Sequence, residues 1–118
     1  MIDEVLEIAL GDTGPALEGI CRGGDGAVVD LTGRTVRVGI RKYRTTTVVH
    51  SDQAEIVGDP EDGRVRFPWP AGLTTTLGVG EYEYEFEVRG GGEVATFPGG
   101  AAKPRFRIVR DIVPEPEP

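Results

Sequence analysis

Hydrophobic and polar residues alternate strictly along positions 80–89 of the chain. Tyr82, Tyr84, Phe86 and Val88 occupy every second position, and the positions between them carry Glu or Arg. Because neighbouring side chains on a strand point to opposite faces, this pattern predicts a half-buried strand. Its inner face is expected to be aromatic and buried, and its outer face acidic and solvated. The rest of the chain is expected to cover the aromatic face.

Shorter apolar runs, separated by turn-forming Gly, Pro and Asp residues, predict further strands. The chain contains 18 Gly and 9 Pro, spread between the apolar runs, which indicates many turns. No stretch has convincing helical periodicity. The predicted strands are 4–10, 16–21, 35–41, 47–50, 54–57, 64–68, 80–89, 93–97 and 105–109, with an apolar pair at 28–29. This spacing predicts an all-β fold, an immunoglobulin-like antiparallel β-sandwich of about 7–9 strands.

Two further residues are expected in the core beside the aromatic face. Val38 lies on the inward face of the strand at 35–41, whose outward positions include Arg37 and Arg41. Trp69 stands between two prolines, which end the strand before it because proline cannot donate to a ladder. We expect the Trp69 ring to cap one end of the core.

The glutamates on the outer face of the strand at 81–89 would repel one another if left unpaired. The strands at 35–41 and 105–109 carry arginines at their outward positions, so we expect these two strands to flank it. Opposite charges on neighbouring strands contribute about 0.2–1 kcal/mol per pair. Four arginines are expected opposite Glu83 and Glu85: Arg37, Arg41, Arg105 and Arg107.

Length and charge limit the function classes. A chain of 118 residues indicates one domain, here residues 1–110, followed by an acidic Pro/Glu-rich tail at 111–118. The formal net charge of −7 disfavours nucleic acids and anionic membranes as partners. Cys21 is the only cysteine, which excludes an internal disulfide. No apolar stretch could span a bilayer, and the acidic start lacks the basic region of a signal peptide, so synthesis in a cytoplasm is expected.

No catalytic constellation, metal site or cofactor site is predicted. A pair of His50 with Asp52 is conceivable, but a solvated loop histidine is the favoured interpretation, and Ser51 beside it does not make a triad. Cys21 on a strand is most simply a small buried hydrophobe. The glutamate row cannot share one calcium ion, because residues two apart on a strand stand about 7 Å apart. The sequence therefore predicts a protein that is not an enzyme.

Several stretches in a fixed order carry a family resemblance. They are 11–19, 24–26, 29–33, 35–37, 62–65 with Trp69, 80–86 and 93–98. This order resembles the immunoglobulin-like domain of tailed-phage structural proteins, best known at the N-terminus of the baseplate upper protein family. The resemblance covers roughly residues 4–110.

The resemblance implies a non-catalytic structural protein of a tailed-phage or prophage virion, in the tail, baseplate or head–tail region. The expected partners are other virion structural proteins in a symmetric assembly, with no nucleic acid and no membrane. The chain stops after the sandwich, which favours a small docking module. The first strand and the acidic tail are candidate docking segments. The alternative is a carbohydrate- or ligand-binding sandwich, which would need exposed aromatic rings; Trp69 and Tyr43 are the candidates.

Overall fold

The computed structural model describes residues 5–99 and 102–110. Eight strands account for about half of the described residues: β1 (Val5–Ala9), β2 (Leu17–Ile20), β3 (Thr35–Lys42), β4 (Val48–Ile56), β5 (Arg64–Phe67), β6 (Gly80–Gly90), β7 (Glu93–Phe97) and β8 (Arg105–Val109). A 3₁₀ turn at Pro60–Asp62 and a short helix α1 at Leu73–Leu77 complete the described elements. The all-β prediction is confirmed. The tail predicted at 111–118 lies outside the described residues.

The strands form one curled mixed sheet in the order β1-β8-β6-β3-β4-β5-β2. As the charge pattern predicts, β3 and β8 flank the long strand β6. β7 pairs with the second half of β6, on the same edge that β8 occupies along the first half. The prediction of a purely antiparallel arrangement is wrong for one pair, because β1 runs parallel to β8. The two chain segments are far apart in sequence, so no hairpin forces them to be antiparallel.

One continuous strand, β4, replaces the two strands predicted at 47–50 and 54–57. Its first part pairs with β3, and its last residues pair with β5. The inward positions continue through the polar residues between the two apolar stretches, so His50, Asp52, Ala54 and Ile56 share one face by strand alternation. β4 thus connects the part of the sheet that contains β3 to the part that contains β5.

Helix α1 lies in the connection before β6, where the sequence predicts no helix. It is only five residues long, little more than one helical turn, which is too short for a repeating apolar pattern to be detected. Tertiary hydrogen bonds hold it in place. The buried Thr74 hydroxyl accepts from the Gly11 amide at 2.9 Å, and the Tyr82 hydroxyl donates to the carbonyls of Leu77 at 2.7 Å and Gly78 at 2.9 Å.

The core is centred on the ring of Phe106. Tyr82 stacks on it with the ring centroids 5.1 Å apart, and Trp69 meets it edge-on at 5.2 Å. The Trp69 indole N–H donates to the Pro15 carbonyl at 3.0 Å. Such pairs contribute about 0.5–1.5 kcal/mol beyond the area they bury. The aromatic residues predicted from the alternation therefore form the centre of the fold.

Candidate functional site

Every glutamate on the outer face of β6 lies next to a cation. The pairs are Glu81 with Arg107 at 2.8 Å, Glu83 with Arg41 at 3.0 Å, Glu85 with Lys103 at 2.9 Å and Glu87 with Arg89 at 2.5 Å. Ion pairs at a surface contribute about 0–1 kcal/mol each. Their main effect here is to relieve the repulsion along the row. The glutamates of β6 and their cations therefore serve to stabilise the sheet.

Two of the expected charge pairs are wrong in register. Arg107 lies opposite Glu81, and it also donates to Glu7 at 3.0 Å. Arg37 lies opposite Glu87, and its guanidinium donates to the Ser51 hydroxyl at 3.5 Å. Alternation along a strand determines the face of a side chain, whereas its partner depends on register, which turns and packing determine.

Of the other residues expected to pair, one arginine has its predicted partner, and the remaining residues have different ones. Arg41 pairs with Glu83, as the charge pattern predicts. Arg105 is the register partner of Glu83, but its guanidinium lies 4.7 Å from the centroid of the Tyr43 ring. Glu85 lies opposite Gly39, and the cation that reaches it is Lys103, which the sequence analysis missed. Lys103 comes from the connection before β8, so strand patterning could not reveal it.

The outer face is also drier than predicted at one position. Glu83 is only 9% exposed, because its neighbours on β3 and β8 cover it from both sides. At the rim of the row, hydrogen bonding from Arg107 holds the pKa of the Glu81 carboxyl below its usual value of 4.5.

All five predicted core residues are buried: Tyr82, Tyr84, Phe86, Trp69 and Val38. Trp69 is 4% exposed, so its ring is not a platform for a sugar. The Tyr43 ring contacts two guanidinium groups: the guanidinium carbon of Arg44 lies 5.2 Å from the ring centroid, and that of Arg105 lies 4.7 Å from it. The aromatic residues on which the ligand-binding alternative depended are thus buried or already stacked.

The prediction of His50 as a solvated loop residue is wrong. His50 lies within β4, and its ring packs 6.1 Å from that of Phe67. Its Nε2 atom is buried without a hydrogen-bond partner and lies 3.5 Å from the Asp52 carboxylate. The continuous strand turns both side chains inward, which the sequence analysis missed because it ended a strand at His50. Ser51, between them, points to the opposite face.

Cys21 is buried, and burial raises the pKa of its thiol to about 11. A thiol with so high a pKa is a poor nucleophile at neutral pH. Within residues 5–99 and 102–110, no group of three or more His, Cys, Asp and Glu side chains is placed to hold a metal ion. Over the same residues, no helix has the length and apolar character needed to cross a membrane.

The most distinctive surface of the described chain is the free edge of β2, at one end of the strand order. Among the strands that the structure describes, β2 pairs only with β5, in antiparallel register. The Cys21 amide donates to the Gly63 carbonyl at 2.8 Å. In an antiparallel pair the hydrogen-bonded positions alternate, so the backbone groups of Gly19 also face β5. Those of Glu18 and Ile20 therefore face away from β5, towards the free edge.

An apolar groove runs beside this edge, between β2 and the strands β6, β7 and β8. One cavity of about 350 Å³ has apolar walls that include Val65, Phe86, Phe97 and Pro104. Gly19 lies at its centre, where a Cβ would come within 3.3 Å of the Phe86 ring. A second open cavity continues the groove past Pro15 and Ala16. We call this surface, from Ala16 to Arg22 with its apolar floor, the β2 groove.

Glu18 and Tyr84 give the β2 groove a polar centre. Both residues line its two cavities. Burial raises the pKa of the Tyr84 hydroxyl, and the nearby Glu18 charge raises it further. Across the strands, Arg66 is the register partner of both Glu18 and Glu55, and two carboxylates thus face a single guanidinium. In the part of the chain that the structure describes, the Glu18 carboxylate makes no ion pair.

β1 and the tail were the predicted docking segments, and β2 was not among them. A strand at 16–21 was predicted, but strand order decides which strand is left at an edge. Comparison of the whole chain with protein-family models and with curated proteins finds no match.

Proposed function

We propose that this chain is a non-catalytic structural protein of a tailed-phage or prophage virion. It acts as a small docking module in the tail, baseplate or head–tail region and binds other virion structural proteins. The observation that carries the docking part is the free edge of β2 beside an apolar groove. Unpaired strand edges are surfaces to which another chain can add. The virion assignment is carried by the family resemblance of the sequence motifs.

The strand order supports the finer proposal of an immunoglobulin-like sandwich. In that fold the third, sixth and seventh strands are neighbours in one sheet, and the second and fifth pair in the other. Here β3, β6 and β8 are neighbours, and β2 pairs with β5. The Gly19 position, close to Phe86 of β6, brings these two groups of strands face to face. We propose that symmetry of the virion sets the number of copies.

Sedimentation velocity tests the docking role. The purified chain is run alone and then mixed with each virion structural protein encoded in the same genome. We expect a slow species alone and co-sedimentation with a tail, baseplate or neck protein. A chain that ignores every virion protein would contradict the proposal. Binding of the labelled chain to an array of immobilised glycans would then test the ligand-binding alternative.

A further inference from the structure

We infer that the β2 groove binds an extended segment of a partner protein that alternates apolar side chains with polar ones and carries a Lys or Arg beside Glu18. This inference rests on the proposed docking function and assigns it a surface and a partner chemistry. The backbone, the groove floor and the charge each determine one property of the segment.

The backbone requires an extended partner. The amide and carbonyl groups of Glu18 and Ile20 face the free edge of β2, in the spacing that an added strand uses. The hairpin at Arg22–Val28 leaves this edge open. The Cys21 amide donates to the Gly63 carbonyl, and the Cys21 carbonyl accepts from the Val29 amide, so both groups face the β5 side of the strand and not the free edge. A strand is thus the only regular element that can satisfy these groups.

The groove floor requires alternating apolar side chains. An added strand would point every second side chain towards Val65, Phe86, Phe97 and Pro104, which line the cavity. At Gly19 the backbone of β2 lies directly against the groove floor, since even a Cβ there would come within 3.3 Å of the Phe86 ring. The remaining side chains of the added strand would lie on the outer face beside Ile20, which is 47% exposed.

The negative charge of Glu18 favours a cationic side chain on the partner segment. On the outer face, Glu18 and Glu55 are both register partners of Arg66, so two carboxylates flank one cationic residue. The whole chain carries a net charge of −7, so a cationic segment is also favoured on approach. Side chains opposite each other on neighbouring strands lie on the same face, so the Lys or Arg belongs at a polar position of the segment.

A peptide titration tests this assignment. The probe is a synthetic peptide, Thr-Val-Lys-Val-Thr-Val-Thr, and its control carries Glu in place of Lys. Binding is followed by chemical shifts of the backbone amides of the ¹⁵N-labelled protein. We expect saturable shifts centred on Glu18, Gly19 and Ile20, with weaker binding of the Glu peptide. No saturable shift at these amides would overturn the assignment.

Two variants test the edge and the charge separately. Ile20→Pro removes the backbone N–H that faces the free edge, but it removes no hydrogen bond to β5, and it should weaken peptide binding at least about tenfold. Ile20→Thr keeps this N–H and should bind the peptide as the wild type does. Glu18→Lys should weaken the Lys peptide about two- to tenfold and favour the Glu peptide. Glu61→Lys, an equal charge change in the 3₁₀ turn, is the matched control. Unchanged binding in both Ile20→Pro and Glu18→Lys would overturn the proposal.

Sedimentation separates this inference from the proposed function. If a virion protein co-sediments equally with wild type, Ile20→Pro and Glu18→Lys, docking stands and the β2 groove is not its site. If the peptide binds at the groove but no virion protein co-sediments, the groove stands and the virion role fails. A concentration-dependent dimer that Ile20→Pro abolishes would show that a second copy occupies the edge and would overturn the partner assignment.

Discussion

Replacing Gly63 by alanine tests how tightly the end of β2 is packed against the turn before β5. Gly63 has φ of +66°, and a left-handed backbone costs a residue with a Cβ about 1–2 kcal/mol. A Cβ there would lie 2.6 Å from Val28 Cγ1, and 2.9 Å and 3.1 Å from the carbonyl oxygens of Val29 and Cys21. Two of these three atoms are backbone and cannot rotate away. The alanine can therefore fit only if the hairpin after β2 moves.

Gly58→Ala is the matched control, because Gly58 has nearly the same φ, +67°, in a more forgiving environment. Its Cβ would meet only the end of the Arg64 side chain, at 3.3 Å, and that guanidinium can move. Gly58→Ala should therefore lower the free energy of unfolding by about 1–2 kcal/mol, the conformational cost alone. Gly63→Ala should add an overpacking cost of about 1–3 kcal/mol, for a total loss of about 2–5 kcal/mol.

Urea unfolding followed by the emission of Trp69, the only tryptophan, measures both variants. Similar m-values would show that the compactness of the native and denatured states is unchanged. If Gly63→Ala and Gly58→Ala lost the same stability within about 0.5 kcal/mol, the close packing at Gly63 would be refuted. In that case the backbone conformation alone would explain both glycines.

Three further predictions concern buried or paired polar groups. Tyr82→Phe should lower the free energy of unfolding by about 1–3 kcal/mol, because it removes a buried hydroxyl that donates to the partly buried carbonyls of Leu77 and Gly78. Tyr84→Phe should cost less than about 0.5 kcal/mol, and urea unfolding measures both variants. Cys21, with its pKa raised to about 11, should react with a disulfide reagent at pH 8 about a hundredfold more slowly in the native than in the urea-unfolded protein, and equal rates would contradict its burial. Arg107 lowers the pKa of the Glu81 carboxyl, so the charged form of Glu81 stabilises the fold above pH 4.5, and this stabilisation is lost as the pH falls through the folded-state pKa. Arg107→Gln should therefore flatten the dependence of the free energy of unfolding on pH between about pH 6 and pH 3. An unchanged pH dependence would refute the pairing.

Local sequence patterns determined most of the strands of this protein. Strict alternation from Tyr82 to Val88 was sufficient to predict β6 and its buried face, because a period of two is a property of the strand itself. The same reasoning placed Val38 and the other inward residues of β3. Trp69 followed from its size and its two flanking prolines. Where the pattern was short or broken, as at α1 and in the middle of β4, the prediction failed.

The charge pattern predicted more than the strand pattern alone, because it also predicted which strands are neighbours. Unpaired glutamates on one strand and arginines on two others were enough to place β3 and β8 beside β6. The individual partners were not determined, because register depends on how the strands pack and not on which face they present. Arg37 therefore lies opposite Glu87, and Lys103, from outside any strand, reaches Glu85.

The candidate site belongs almost entirely to the tertiary structure. Leu17 to Cys21 is recognisable as a strand from its sequence, but nothing local says that it lies at the end of the strand order. The β2 groove exists because Phe86, Phe97 and Pro104, distant in the chain, converge beside Gly19. Sequence patterns thus determined which faces are buried, since burial follows a local period. Only the tertiary structure decided which edge stays open, since that depends on how every other strand is paired.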